Sequence, residues 1–170
     1  KFLLKNTKKY SDNGLNKLRK IFEGTIRNPD YNIKYKIKKT KNKIQKFYKE
    51  LGFDPKKKVC FIFSHNLLDG VYGGKSIKVF KDYLSWLRET LIFIKKLDSN
   101  VNWVVKDHPS DYGFAKMRTN TKKEFDNIIG PNNKKIKFFP ENYNVSIVKD
   151  IAACVITQGG SCGMEYPCFG

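Results

Sequence analysis

The amino-acid sequence predicts an α/β domain with a parallel sheet, and two features carry this prediction. Short, nearly continuous apolar runs of the kind found in strands buried on both faces recur along the chain. Segments with apolar residues at helical spacing alternate with these runs. With 170 residues, 40% of them hydrophobic, the chain is long enough to bury a core of its own.

The first third of the chain, residues 1–57, is predicted to be a basic, partly helical connector or the remnant of an N-terminal domain. A helix is expected over residues 14–23, where apolar side chains recur at steps of three and four. Residues 31–38 alternate apolar and basic side chains, which favours an exposed strand or an extended arm. A second helix is expected over residues 39–51, with Gly52 as its C-terminal cap.

Residues 58–170 carry the pattern of the α/β domain. A change to apolar composition at Lys58 begins the first predicted strand, and the helix with the clearest amphipathic spacing follows at residues 80–97. Further strands are predicted at residues 101–106, 135–139 and 152–157, and further helices at residues 114–128, at residues 144–151 and from Ser161 onward.

The positive charge of the chain is concentrated in its first third. Residues 1–58 contain 19 Lys and Arg against 5 Asp and Glu, whereas residues 59–170 contain 15 against 11. Lys greatly outnumbers Arg in the basic part, and the pattern leaves three interpretations open: a solvated surface, contact with an anionic membrane surface, or nucleic-acid binding. No apolar run approaches the roughly 20 residues of a membrane-spanning helix.

The cysteines predict free thiols. The chain has no Cys-x-x-Cys pair among its four cysteines, which are Cys60, Cys154, Cys162 and Cys168. Cys60 and Cys154 lie inside apolar, strand-like runs, so both are expected to be buried. The two histidines lie elsewhere in the sequence, so no metal site is expected. Free thiols favour a reducing, cytoplasmic compartment.

Polar residues and a glycine turn follow three of the four predicted strands. Because ligands bind outside the carboxyl ends of the strands in open parallel sheets, these residues are candidates for a binding site. They are Ser64 and His65 after the first strand, Lys106, His108 and Pro109 at the end of the second, and Gln158, Gly159, Gly160, Ser161 and Glu165 after the fourth.

The residue types in this set suit a phosphorylated ligand. Glycines between a strand and a helix let backbone N–H groups converge on an anion, and Ser161 can cap the helix or contact the same phosphate. His108 can donate to a phosphate oxygen, Lys106 adds a point charge, and Glu165 can accept hydrogen bonds from ribose hydroxyls. A tight turn with nothing bound is the alternative for the glycine segment. Asp69, on the turn after the first strand, is either a general base or a turn former.

Four segments of the chain together resemble a known family. They are FSHNLLDG (63–70), VFKDYLSWLRETL (79–91), NWVVKDHPSD (102–111) and DIAACVITQGGSCGMEYPCFG (150–170). In this order they are similar to the C-terminal, donor-binding half of bacterial capsular or surface polysaccharide biosynthesis proteins of the GT-B glycosyltransferase type. The resemblance implies an incomplete Rossmann-like domain in which the phosphates of a donor nucleotide are held by His108 and Pro109 and by Gly160, Ser161 and Glu165.

The same resemblance implies a nucleotide-sugar-dependent glycosyltransferase that acts in capsule or surface polysaccharide biosynthesis. The donor would be a CMP-, UDP- or GDP-linked sugar, with no further cofactor, and the acceptor a glycan or glycolipid. Asp69 and His108 are the expected catalytic residues. Peripheral contact with the inner membrane is expected, nucleic acid is the less favoured partner, and the chain, as a fragment, is expected to be inactive alone. A nucleotide-sugar epimerase and a basic nucleic-acid-binding module remain as alternatives.

Overall fold

The computed structural model describes residues 12–17, 20, 43–67, 79–111 and 119–169. Within them, four parallel strands form one sheet flanked by helices, which confirms the predicted α/β, Rossmann-like class. The sheet has the order β3-β2-β1-β4, and β2 and β4 have the predicted bounds. The strands are β1 (Lys58–Phe63), β2 (Val101–Lys106), β3 (Ile136–Phe138) and β4 (Ala152–Thr157).

Helices connect and flank these strands. Residues 12–17 and 20 are helical, and the helices that follow are α1 (Lys43–Leu51), α2 (Tyr83–Lys96), α3 (Thr121–Ile128), α4 (Val148–Ile151) and α5 (Cys162–Glu165). A 3-10 turn over Val145–Ile147 leads into α4, and another over Tyr166–Phe169 follows α5. In the described part of the chain, every helix is too short or too polar to cross a bilayer.

Two helices begin later than the apolar spacing predicts, because polar side chains cap them. Asp82 accepts a hydrogen bond from the Ser85 N–H at 2.7 Å, so α2 begins at Tyr83 rather than at residue 80. Asn120 accepts a hydrogen bond from the Lys123 N–H at 2.9 Å, so residues 119 and 120 precede α3. The extended arm predicted over residues 31–38 lies outside the described residues, as do residues 39–42 and 114–118 of two predicted helices.

The core lies on both faces of the sheet, because successive side chains of a strand point to opposite faces. Cys60 and Ile62 of β1 share one apolar cluster with Leu87 and Leu91 of α2, both of which are fully buried. Phe61, which lies between Cys60 and Ile62 in the sequence, belongs to a second cluster on the other face of the sheet. The sheet is thus covered on both sides, as its continuous apolar strands require.

Helix α1 belongs to the second of these clusters. Its Phe47 is fully buried, with ring centroids 6.4 Å from Phe61, 5.9 Å from Phe139 and 5.1 Å from Tyr143. The helix therefore packs on the sheet, although its sequence lies before the boundary that composition places at residues 57 and 58. That boundary stays a prediction.

The expectation of buried thiols is confirmed for Cys60 and wrong for Cys154. Cys60 is buried on the central strand β1, whereas Cys154 is exposed. The difference follows from topology, because β4 is an edge strand of the sheet that the described residues form. An apolar run alone does not distinguish an edge strand from a central one.

An ion pair joins α2 to α3 beside the first cluster. Arg88 donates from Nε and Nη2 to the two carboxylate oxygens of Glu124, at 2.7 and 2.8 Å. Glu124 is 4% exposed, and Thr119 donates a third hydrogen bond to it at 2.7 Å. Hydrogen bonding from Arg88 lowers the pKa of Glu124 below its ordinary value of 4.5, although burial acts in the opposite direction.

Replacing Phe47 with alanine tests whether α1 is part of the folded core. Because Phe47 is fully buried among three aromatic rings, Phe47→Ala should lower the free energy of unfolding by about 3–5 kcal/mol. Urea denaturation measures this loss. Ile44→Ala on the same helix, where the side chain is 40% exposed, is the control and should cost about 1 kcal/mol or less. Equal, small losses would mean that α1 is dispensable for the sheet.

The pH dependence of stability should report the Glu124 carboxylate. Because its pKa is lowered by folding, its contribution is present above about pH 4.5 and is lost as the pH falls through the lowered pKa. Glu124→Gln should therefore flatten the fall in unfolding free energy between about pH 5 and pH 3. Glu89→Gln, at an exposed position on α2, is the control and should leave that slope unchanged. If the slope stays the same in Glu124→Gln, the fall in unfolding free energy does not come from the Glu124 carboxylate.

Candidate functional site

The carboxyl ends of β2, β1 and β4 lie side by side at one edge of the sheet. Phe63 at the end of β1 pairs with Lys106 of β2 and with Thr157 of β4, so the three strands end at the same level. The order β3-β2-β1-β4 also places a topological switch point between β1 and β4. Ligands of doubly wound sheets bind in the crevice at such a point.

Three aromatic rings meet at this edge. The His65 ring stacks on the Tyr83 ring, with centroids 4.2 Å apart and planes 10° apart. The same His65 ring lies 5.7 Å from the His108 ring, with planes 18° apart. We call Tyr83, His65 and His108 the ring ladder. It brings together the two histidines predicted from the strand ends and adds the first residue of α2.

The His108 ring is oriented by the turn that follows β2. The Asp111 N–H donates to the His108 carbonyl at 3.0 Å and closes a four-residue turn with Pro109 at its second position. The Ser110 N–H donates to His108 Nδ1 at 3.2 Å, and the Ser110 hydroxyl lies 2.8 Å from the same nitrogen. Since Nδ1 accepts, the neutral ring carries its proton on Nε2.

The glycine turn after β4 approaches the ring ladder. Gly159 has a φ of 75°, in the left-handed region that favours glycine, and a Cβ added there would lie 3.5 Å from the Tyr83 hydroxyl. Gly160 is packed against its own turn, because a Cβ there would lie 2.8 Å from Thr157 Oγ1. A side chain would therefore be strained by the positive φ at Gly159 and would overlap Thr157 at Gly160, so both positions favour glycine.

The remaining predicted residues of this turn face different surroundings. Ser161 is exposed at the N-cap position of α5, but its side chain makes no capping hydrogen bond. Glu165 is half-buried in the single turn of α5. The Gln158 Oε1 atom is buried, with no hydrogen-bond partner among the described residues. Of the three side chains, Ser161 is thus the one presented on the surface.

Ser64 takes part in a buried polar network, and its predicted contact with phosphate stays a prediction. Its hydroxyl lies 2.6 Å from Thr121 Oγ1, and all three residues of the network, Ser64, Thr121 and Asp111, are at most 5% exposed. The Asp111 carboxylate accepts from the Thr121 N–H at 3.1 Å and also from the Thr121 hydroxyl. Because the Thr121 proton goes to Asp111, Ser64 donates to Thr121. The network ties the end of β1 to the start of α3.

Lys106 is also engaged locally. Its Nζ lies 2.6 Å from the Asp107 carboxylate and 5.7 Å from the centre of the Phe139 ring. The positive charge predicted to meet a phosphate is therefore offset by the next residue in the sequence. Asp69, the predicted general base, lies outside the described residues, so its role and its distance from His108 stay predictions.

Sequence reasoning missed two contributors to this edge. Tyr83 lies within the amphipathic helix predicted over residues 80–97, and its apolar spacing does not mark it as a site residue, although helices that follow parallel strands begin at the carboxyl edge. Its position beside the capping residue Asp82 is the signal that could have identified it. Thr121 carries no comparable signal, because its partners Ser64 and Asp111 are distant in the sequence.

No family model matches the chain, and no curated protein and no solved structure matches it either. Among residues 43–67, 79–111 and 119–169, no group of three or more His, Cys, Asp or Glu side chains is placed to hold a metal ion. The features that define the candidate site are its ring ladder, its glycine turn and its position in the sheet.

The close packing of the glycine turn can be tested with a double mutant. Gly160→Ala should lower the free energy of unfolding by about 1–3 kcal/mol, because the new methyl group overlaps Thr157 Oγ1. In a Thr157→Ala background the same substitution should cost clearly less, since the nearest atom is gone. Chemical denaturation of the four proteins measures both costs. If Gly160→Ala lowers the free energy of unfolding equally in both backgrounds, the overlap with Thr157 Oγ1 is not the cause of the loss.

Proposed function

We propose that this chain is the donor-binding portion of a nucleotide-sugar-dependent glycosyltransferase that acts in capsule or surface polysaccharide biosynthesis. The observation that carries the proposal is the ring ladder beside Gly159 at the switch point between β1 and β4. The acceptor, a glycan or glycolipid, and peripheral contact with the inner membrane belong to the same proposal.

The position of the ladder supports a nucleotide ligand. A crevice at the switch point has β1 on one side and β4 on the other, so His65 and the glycine turn border it from opposite sides. Backbone N–H groups of a glycine turn suit the negative charge of a phosphate. His108, with its proton on Nε2, has the donor that a phosphate oxygen accepts.

The proposed reaction follows from these groups. The acceptor hydroxyl oxygen attacks the anomeric carbon of the sugar, and the bond from that carbon to the phosphate oxygen breaks. His108 and the turn stabilise the negative charge that develops on the leaving nucleotide. Asp69 is the proposed general base for the hydroxyl proton, a role that requires its carboxylate to reach that proton directly or through one water.

Titration of the full chain with CMP, CDP, UDP and GDP tests the proposal. Calorimetry should show saturable binding of one nucleotide. His108→Ala should weaken it by about 10-fold or more, as for loss of a hydrogen bond to a charged group. Ser161→Ala should weaken it by about 2- to 10-fold, as for a neutral hydrogen bond.

Lys134→Ala is the matched control, because it removes a positive charge just before β3, at the opposite edge of the sheet. It should leave the affinity unchanged. A folded chain that binds no nucleotide, or that loses as much affinity with Lys134→Ala as with His108→Ala, would contradict the proposal. Binding of polynucleotides alone, falling steeply with salt, would favour the nucleic-acid-binding alternative.

A further inference from the structure

Two cysteines occupy directly paired positions on neighbouring strands. The pairing of β1 with β4 runs from Val59 with Ala152 to Cys60 with Cys154, so β4 holds one extra residue at Ala153. This bulge sets which side chains share a face. Without it, Cys60 would lie beside Ala153.

The bulge places both thiols on the same face of the sheet. Two residues further along, Ile62 pairs with Ile156, and both isoleucines pack in the apolar cluster that contains Cys60. Because side chains alternate along a strand, Cys154 lies on that same face. The two cysteine side chains therefore project from adjacent strands in the same direction.

The spacing of the two strands is compatible with a disulfide bond. Neighbouring strands lie about 4.8 Å apart, and disulfides join Cα atoms that are about 4.4–6.8 Å apart. Both cysteines are free thiols in this structure. Burial raises the pKa of the Cys60 thiol, and the nearby Cys154 raises it further, as expected for two sulfur atoms in proximity.

The two thiols differ in their access to solvent. Cys60 is 9% exposed on the central strand, whereas Cys154 is exposed on the edge strand β4. A dissolved reagent therefore meets Cys154 first, and Cys60 is placed to react with the product from within the sheet.

We propose that Cys60 and Cys154 are a modification site at which a small-molecule disulfide, such as oxidised glutathione, forms an intrachain disulfide between β1 and β4. The Cys154 thiolate attacks one sulfur of the reagent, which gives a mixed disulfide and releases one glutathione thiol. Cys60 then loses its proton and attacks the Cys154 sulfur, which releases the second glutathione. Two cysteine thiols are oxidised, and one reagent disulfide is reduced to two thiols.

The bond should be readily reversible. Because directly paired side chains run parallel, their Cβ atoms stay about 4.8 Å apart, slightly beyond the usual Cβ separation of about 3.5–4.5 Å in disulfides, and strained bonds are the more easily reduced ones. Neither thiol belongs to the residues of the candidate site, so this inference does not depend on the proposed function.

Mass spectrometry of the full chain tests the proposal. The protein is incubated with oxidised glutathione, its remaining thiols are alkylated, and the peptides are analysed without reduction. A linked peptide pair containing Cys60 and Cys154 is expected, and it should disappear after mild treatment with reduced glutathione. Cys154→Ser, at an exposed position that should not disturb folding, should abolish the pair.

Two further variants separate the steps. Cys60→Ala should accumulate glutathione on Cys154, because the second attack is lost. Cys162→Ser is the matched control, since Cys162 lies outside the strand pairing, and it should leave the Cys60–Cys154 link intact. Glutathione that stays on Cys154 in the unmodified sequence, or a link that joins Cys60 to Cys162 instead, would overturn the proposal.

Discussion

The structure depends on the parallel pairing of β1 with a strand on each side. The backbone of β1 is hydrogen-bonded to β2 and to β4, and residues of β1 contribute side chains to both apolar clusters. A strand buried in this way is apolar between its ends, and polar side chains follow the point where each of the three strands ends. The three ends are level because Phe63 pairs with both Lys106 and Thr157. The candidate site is a consequence of this register.

A buried polar network holds the two histidine-bearing segments in place. Ser64 precedes His65, and Asp111 closes the turn that begins at His108, so Thr121 links both segments through its hydroxyl. A buried carboxylate and two buried hydroxyls would destabilise the fold if they lacked partners. Their mutual hydrogen bonds, together with the N-terminus of α3, satisfy most of this need. Because these buried groups must hydrogen-bond to one another, the network also fixes the positions of the His65 and His108 rings relative to each other.

The sequence was informative where a single physical pattern dominates. Strands β2 and β4 have their predicted bounds because apolar runs end abruptly at Lys106 and Thr157. That His65 and His108 lie at the same edge followed from the rule that parallel strands share a carboxyl edge, whereas the stacking of their rings did not. Features that depend on which strand lies beside which were beyond it. The exposure of Cys154 follows from the edge position of β4, and the hydrogen bond from Ser64 to Thr121 spans 57 residues of sequence.

The positive charge of the chain is concentrated in a different part of the sequence from the residues of this edge. Most of the net charge of +18 lies in residues 1–58. At the carboxyl edge of the sheet, Lys106 is paired with Asp107. Asp82 and Asp111 accept hydrogen bonds from backbone N–H groups at the starts of α2 and α3. Among the described residues of this edge, a phosphate at the switch point would therefore meet hydrogen-bond donors from the turn and an imidazole, while the charge of Lys106 is already offset by Asp107. In the proposed function, such a site would select its ligand by the directions of its hydrogen-bond donors, because charge-assisted hydrogen bonds have geometric specificity. Under the same proposal, the positive charge of the first third would speed association with an anionic partner, while the donors at the edge would set which ligand is preferred.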